Sequence, residues 1–351
     1  MSSIKNLKIG KAVIGEGHRA YIIAEVGSNF DGSLNQTKKL VDLAKEAGAD
    51  AVKFQSFLAD KIISSDGFKD FRISFQAKWK KPVYQVYKEA EFPRDWHLEI
   101  AEYCKKKGIT FFSTPYDREA VDLLDEIGVP AFKVGSGDIN FLSLIEYIAK
   151  KGKPVIVGTG ASSLGEVEEA VNTIRNAGND QIVLLHCVTS YPSPIEQSNI
   201  RAMITLREAF QVNVGYSDHT LGDLVSLGAV ALGGCIIEKH FTMDRTLSGP
   251  DHSFAMDFKE FGMMVNRIRL MENALGSAIK TRGPSENKTV VIQRRSVYAK
   301  TDIPEGSVIT EDSLVVLRPD RGLKPNSVGI IVGRIARKNI AKGTPITWDM
   351  L

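Results

Sequence analysis

A chain of 351 residues can hold one large domain with a small one, or two of medium size. A quarter of it is charged, 43% is apolar and the net charge is +3, an ordinary balance for a globular enzyme and too small an excess for a nucleic-acid or anionic-membrane surface. No apolar run approaches the ~18 to 20 residues that a bilayer-spanning helix needs. The opening stretch MSSIKNLKIGKAVIG carries no signal-peptide core. Cys104, Cys187 and Cys235 are odd in number, widely spaced and set among apolar neighbours. They predict buried thiols in a reducing compartment, hence a cytoplasmic protein.

In chain order, strand-like apolar runs alternate with helix-period segments. AYIIAEVG (20–27) precedes the helical NQTKKLVDLAKEAG (35–48), and AVKFQSF (51–57) precedes RDWHLEIAEYCKKKG (94–108). ITFFSTP (109–115), AFKVGSG (131–137) and PVIVGTG (154–160) are each followed by a helical segment that ends in glycine, the favoured C-terminal stop. IVLLHCVTS (182–190), NVGYSDHT (213–220) and IIEKHFTM (236–243) complete the series, each with its helix. Eight β-then-α units in about 270 residues predict a (β/α)8 TIM barrel, with a doubly wound open sheet as the competing layout. The second connection is interrupted by a long insertion, 58–91, at the end of the barrel where active sites form. Composition then changes near residue 277. The expectation is a barrel domain over 1–277, a polar linker over 278–290, and a small, loop-rich, mostly β module over 291–351.

Side chains at the C-terminal ends of barrel strands form the active site, and residues two apart on a strand share a face. Applied to each strand end, these rules gather a polar set. Glu25 ends the first strand, Lys53 and Gln55 share a face on the second, and Thr114 ends the third. Lys133 lies on the fourth with Ser136 just beyond, and Thr159 ends the fifth. His186 lies on the sixth with Tyr191 in the loop after it, Ser217 and His219 on the seventh, and Glu238 and His240 on the eighth.

A lone histidine near a strand end is more often a hydrogen-bonded structural residue than a ligand. Two on neighbouring strands, at one height and on one face, point to a metal, because barrel strands run ~5 Å apart and both imidazoles reach one ion. So few fixed ligands leave positions for water and substrate, which is the arrangement of a catalytic ion. Imidazole with oxygen donors does not choose among zinc, manganese, iron and cobalt. Lys53 and Lys133 lie in runs that are otherwise apolar or small, where a lysine is costly to desolvate unless it meets an anion or acts as a nucleophile. With the hydroxyls of Thr114, Ser136 and Ser217 and the GSG and GTG turns, they suit a phosphate plus a carboxylate. A Schiff-base aldolase using one lysine is the alternative, and it would not need the histidine pair.

IIAEVGSNFDGS, AVKFQSF, FFSTPYD, FKVGSGD, LLHCVTSYPSP, GYSDHTLG and IIEKHFTMDRTLSGPDH, in this order and spacing, resemble the sialic acid synthases. Those enzymes condense phosphoenolpyruvate with N-acetylmannosamine or a related acylamino sugar. The tail from about residue 291 is similar to their C-terminal antifreeze-like (SAF) domain. The resemblance implies that His219 and His240 bind a divalent metal, usually manganese, with magnesium or cobalt as alternatives. It implies that Lys53, Thr114, Lys133, Ser136, Thr159 and Ser217 hold phosphoenolpyruvate, and that Gln55, Tyr191 and Asp251 face the acetamido sugar. Glu25 and Asp138 are the catalytic carboxylates it suggests. Asp138 departs from the pattern, since many sialic acid synthases have glutamate in GSGE. Arg318, in LRPDRG, matches an arginine by which the SAF domain of one subunit reaches the barrel of the other, so a domain-swapped homodimer is implied.

The implied reaction has C3 of phosphoenolpyruvate attack the sugar's aldehyde, polarised by the metal. Water then adds at C2 and phosphate leaves by C–O cleavage. N-acetylmannosamine, its 6-phosphate and the 2,4-diacetamido hexoses of legionaminate or pseudaminate all remain open as the sugar. Two rivals stand beside this reading. Another phosphoenolpyruvate-condensing synthase, acting on an unacetylated sugar phosphate, is disfavoured by the SAF-like tail. A non-catalytic carbohydrate-binding protein would not need lysines inside barrel strands.

Overall fold

The computed structural model describes residues 4–69, 76 and 79–351, which fall into two compact units, Met1–Gly276 and Ser277–Leu351. The first opens with an antiparallel hairpin of two short strands, β1 (Leu7–Ile9) and β2 (Ala12–Ile14). Eight further strands follow: β3 (Tyr21–Glu25), β4 (Ala51–Ser56), β5 (Thr110–Pro115) and β6 (Phe132–Val134), then β7 (Val155–Gly158), β8 (Ile182–Cys187), β9 (Asn213–Asp218) and β10 (Ile236–His240). They pair in the order β5-β4-β3-β10-β9-β8-β7-β6, every pairing parallel. The two end strands, β5 and β6, lie side by side, so the sheet curls into the (β/α)8 barrel expected from the eightfold alternation.

Helices follow the strands in turn: α1 (Leu34–Glu46), the short α2 (Ala59–Ile62) and α3 (Val83–Glu89), α4 (Trp96–Lys107), α5 (Arg118–Ile127), α6 (Leu142–Ala149), α7 (Leu164–Asn176), α8 (Ala202–Phe210), α9 (Leu224–Ala231) and α10 (Phe258–Leu275). Their starts are written in the sequence. Ser33 and Asp117 accept from the backbone N–H three residues on, and Ser163 with Glu166 and Asp257 with Glu260 form reciprocal capping boxes. Gly108 and Gly128 stop α4 and α5 in the left-handed conformation. The insertion supplies α2 and α3; its residues 70–75 and 77–78 lie outside the described residues. No helix among the described residues is long and apolar enough to cross a membrane.

The strands carry two cores. Outward side chains such as Val52, Phe54, Val157, Leu184 and Ile237 pack under the helices. Inward ones such as Tyr21, Ile23, Phe112, Val183 and Ile236 form a separate cluster with Leu7, Ile9 and Ile14 of the hairpin, which floors the barrel. The hairpin lies within the expected 1–277 domain but ahead of its first strand-like run, which starts at residue 20.

In the second unit, β11 (Ser296–Ala299) pairs antiparallel with β12 (Leu314–Leu317). Val297, Ile309, Ile331, Ile340 and Ile346 make its core. Isolated bridges such as Ile303 to Ile340 extend the β character expected of this module. Part of the stretch read as a linker is ordered structure here, because α11 (Asn287–Gln293) begins inside it; α12 is Val328–Ile331.

Candidate active site

The C-terminal ends of the barrel strands surround a cavity of about 420 Å³. Alternation along each strand decides what it contains. On β3 the inward series runs Tyr21, Ile23, Glu25; on β4, Ala51, Lys53, Gln55; on β10, Ile236, Glu238, His240. Each passes from apolar floor to polar mouth within five residues.

A buried ionic network lies at the foot of the cavity. Lys53 Nζ is 2.8 Å from Glu25 Oε2 and 3.8 Å from Glu238 Oε2, and donates to Thr114 Oγ1 at 3.2 Å. Lys133 Nζ approaches Glu238 Oε1 to 3.6 Å, Ser217 Oγ donates to that same oxygen at 3.0 Å, and Gln55 Nε2 donates to Glu25 Oε1 at 2.7 Å. Burial by itself would raise the Glu238 carboxyl, but Lys133 and Lys53 outweigh it and hold the group well below the usual carboxylate range. Burial dominates at Glu25 and, despite Lys53, pushes it up to about 7. Burial pulls Lys53 downward, yet Glu238 and Glu25 together hold it above its ordinary value. A Schiff-base lysine needs the opposite shift, which argues against Lys53 as such a nucleophile. Lys53 and Lys133 thus both face the ionised Glu238, at a place where a bound anion is rewarded.

Beside Lys133 the barrel wall is cut back. A Cβ on Gly158 would stand 2.6 Å from Ser136 Oγ and 3.4 Å from Lys133 Nζ. Ser136 Oγ also accepts the Gly160 N–H at 3.0 Å. Space, a cation and a hydroxyl therefore coincide there. Asp138 lines the same cavity in the short turn Ser136–Asp138, and burial raises its carboxyl to about 6 against the pull of Lys133.

Across the mouth, the His219 and His240 rings lie with centroids 5.5 Å apart. His219 Nδ1 is 2.8 Å from the Val188 carbonyl, which can only accept, so Nδ1 carries the hydrogen and Nε2 keeps its lone pair. His240 Nδ1 is buried with no hydrogen-bond partner among the described residues. Burial, reinforced by the facing His240, lowers His219 to about 4, and burial lowers His240 as well. Two neutral imidazoles, one with its tautomer fixed and one with an orphaned nitrogen, are a donor set that fits a divalent ion. No group of three His, Cys, Asp or Glu side chains among the described residues completes a site, so water and substrate would fill the other positions. Asp251 stands next to the pair, its Oδ2 accepting from Ser28 N at 3.1 Å and Ser28 Oγ at 2.9 Å. Gly27 makes this approach possible: its φ is +53°, and a Cβ there would sit 2.5 Å from Asp251 Oδ2.

Of the residues the sequence singled out, Glu25, Lys53, Gln55, Thr114, Lys133, Ser136, Asp138, Tyr191, Ser217, His219, His240 and Asp251 all line this one cavity. Thr159 does not: it falls between two inward glycines on the pleat, and its hydroxyl donates to the Leu185 carbonyl at 3.2 Å. His186 also turns away, bonding the Ser198 carbonyl at 3.1 Å and packing against Tyr216. Arg318 belongs to the other unit, immediately after β12.

Residues 40–280 match the NeuB family, and residues 294–351 match the SAF domain. The chain belongs to the NeuB family. The N,N'-diacetyllegionaminic acid synthase of Campylobacter jejuni is 43% identical over 92% of this chain and 97% of its own length. That of Legionella pneumophila is 40% identical, covering 95% of each. A solved N-acetylneuraminic acid (sialic acid) synthetase from Leptospira borgpetersenii superposes with a TM-score of 0.73 at 35% identity, over 82% of this chain and 95% of that one. The chain is thus an acid synthase of NeuB type, an enzyme. One part of the mouth went unread in the sequence: Phe57, Ile62, Ile63, Val86, Tyr87 and Tyr116 wall one side of the cavity. Four of them come from the insertion, whose position marked it as functional but whose irregular pattern said nothing about direction.

Proposed function

We propose that this chain condenses phosphoenolpyruvate with a 2,4-diacetamido hexose to give a legionaminate-type nonulosonic acid and phosphate. The observation that carries this reading is the Lys53–Glu238–Lys133 network at the foot of a strand-end cavity, next to a pair of neutral histidines. Similarity to two legionaminic acid synthases at 43% and 40% identity, against 35% for the N-acetylneuraminic acid enzyme, supports the choice of sugar.

Lys53 and Lys133 supply the charge that receives the phosphate and carboxylate, helped by Thr114, Ser136 and Ser217 and by the space at Gly158. Glu238 stays ionised and keeps both ammonium groups in place before substrate arrives. A divalent ion held by His219 and His240, manganese by preference, would supply Lewis-acid polarisation of the sugar's aldehyde oxygen. Glu25, raised to about 7, is poised to take the proton from the water that adds at C2, after which phosphate leaves with its bridging oxygen. Gln55 fixes the Glu25 carboxylate by donating to it. Asp251, Tyr191 and Asp138 line the same cavity and would face the sugar.

The test is to incubate the protein with phosphoenolpyruvate, Mn²⁺ and each of three sugars: 2,4-diacetamido hexose, N-acetylmannosamine and its 6-phosphate. Phosphate release and product mass are then followed. Turnover fastest with the diacetamido sugar is expected. No phosphate with any of the three would overturn the reading.

A further inference from the structure

The histidine pair has a counterpart on the opposite face of the same two strands. Asp218 and Lys239 point away from the cavity and are nevertheless buried, at 1% and 2% exposure. They face each other in the β9–β10 register, and Lys239 Nζ lies 3.0 Å from Asp218 Oδ2. The same ammonium donates to the Thr220 carbonyl at 2.6 Å. Asp218 Oδ1 accepts from Thr220 N at 2.9 Å and Thr220 Oγ1 at 2.7 Å, while Asp218 Oδ2 accepts from Ser226 Oγ of α9 at 2.7 Å.

Chain order gives this cluster its meaning. Residues 218 and 220 flank His219, and both are gripped by the side chain of Lys239, which itself precedes His240. One ammonium therefore ties both neighbours of the first imidazole to the strand that bears the second. A buried ion pair adds little net stability over an apolar pair of similar shape, because desolvation offsets the attraction. Its evident product here is fixed geometry at the point where β9 leaves the sheet.

We propose that Asp218 and Lys239 are positioning residues that set the span between the His219 and His240 imidazoles, and so the affinity and geometry of the divalent-ion site. The inference rests on the metal reading above. Outer partners that orient metal ligands commonly matter by about 10- to 100-fold in affinity, and the latch should fall in that range.

The test uses the full-length protein and Co²⁺ as probe, with binding followed by titration calorimetry and by the visible d–d spectrum, neither of which needs turnover. D218N keeps the side chain's shape but removes its charge, so the Lys239 ammonium faces a neutral amide. D218N/K239M removes the charge pair without leaving an unpaired buried charge. His219→Ala is the control for the site itself. Wild type should bind one Co²⁺ per chain, and His219→Ala should lose it. D218N and the double variant, their folding checked by circular dichroism and thermal melting, should bind about 10- to 100-fold more weakly with shifted d–d bands. Wild-type affinity and spectrum in folded D218N, with binding lost in His219→Ala, would overturn the latch and leave the metal reading intact. Absence of saturable Co²⁺ binding by the wild type would overturn both.

Discussion

The two ends of one barrel are built from opposite chemistry. At the floor, Ile14 and Ile9 of the hairpin meet Tyr21, Ile23 and Phe112 in a cluster without charged side chains. A few residues along the same strands, the inward positions are Glu25, Lys53, Lys133, Glu238 and two histidines, all buried, with little to recommend them as a core. The floor is what hydrophobic burial selects. The mouth holds charges that burial penalises, and it persists because they pair with one another. Stability and chemistry are therefore written in separate layers of one fold, and mutations should sort by layer.

The largest effect belongs to the mouth. His219→Ala should show no measurable turnover at any Mn²⁺ concentration, and EDTA should reversibly inactivate the wild type; phosphate release reads both, and full activity in metal-free buffer would remove the metal from the account. Next, Lys133→Met should lower kcat/KM by roughly 10²- to 10³-fold, as loss of a preorganised charge does, with the protein still folded by circular dichroism. Third comes pH. Glu25 holds its proton below about 7 and loses it above, so as a base it makes kcat/KM rise with pH up to that point and then level off. Glu25→Gln should give a slow, flat profile, whereas Asp138→Asn should keep the rise near 7.

The floor should behave in the opposite way. Ile14→Ala removes fully buried side-chain volume from the hairpin, so denaturant melts should report a loss of about 2–5 kcal/mol. Its kcat/KM per folded molecule should match the wild type; a drop comparable to that of Lys133→Met would break the division into layers. Smallest of all, Ser163→Ala takes the capping hydroxyl from α7, for a loss of about 1 kcal/mol with no change in kinetics.

The barrel was legible because each strand–helix unit carries its own local signals: an apolar run, a cap and a glycine stop. The mouth was legible because a period of two is rigid, so choosing Lys53 selects Gln55, and choosing His240 selects Glu238. That same rule, applied strictly, would have turned Thr159 and His186 away, since Gly158 and Cys187 hold the inward places beside them. The hairpin was missed because two strands of three residues are too short to show a period. Asp218 and Lys239 were in plain view inside SDH and EKH, but a reading aimed at the inner face has no reason to ask what lies behind it. The aromatic wall was hidden for another reason: the direction of an irregular insertion is set by tertiary packing, not by local spacing.

The central claim is that this mouth joins phosphoenolpyruvate to a sugar with C–O cleavage, and the fate of one oxygen tests it most directly. With the reaction run in ¹⁸O-enriched water, phosphate is isolated and its mass measured. The account predicts unlabelled phosphate, because the bridging oxygen leaves with phosphorus and water enters at carbon. Phosphate carrying ¹⁸O would mean attack at phosphorus and would contradict it.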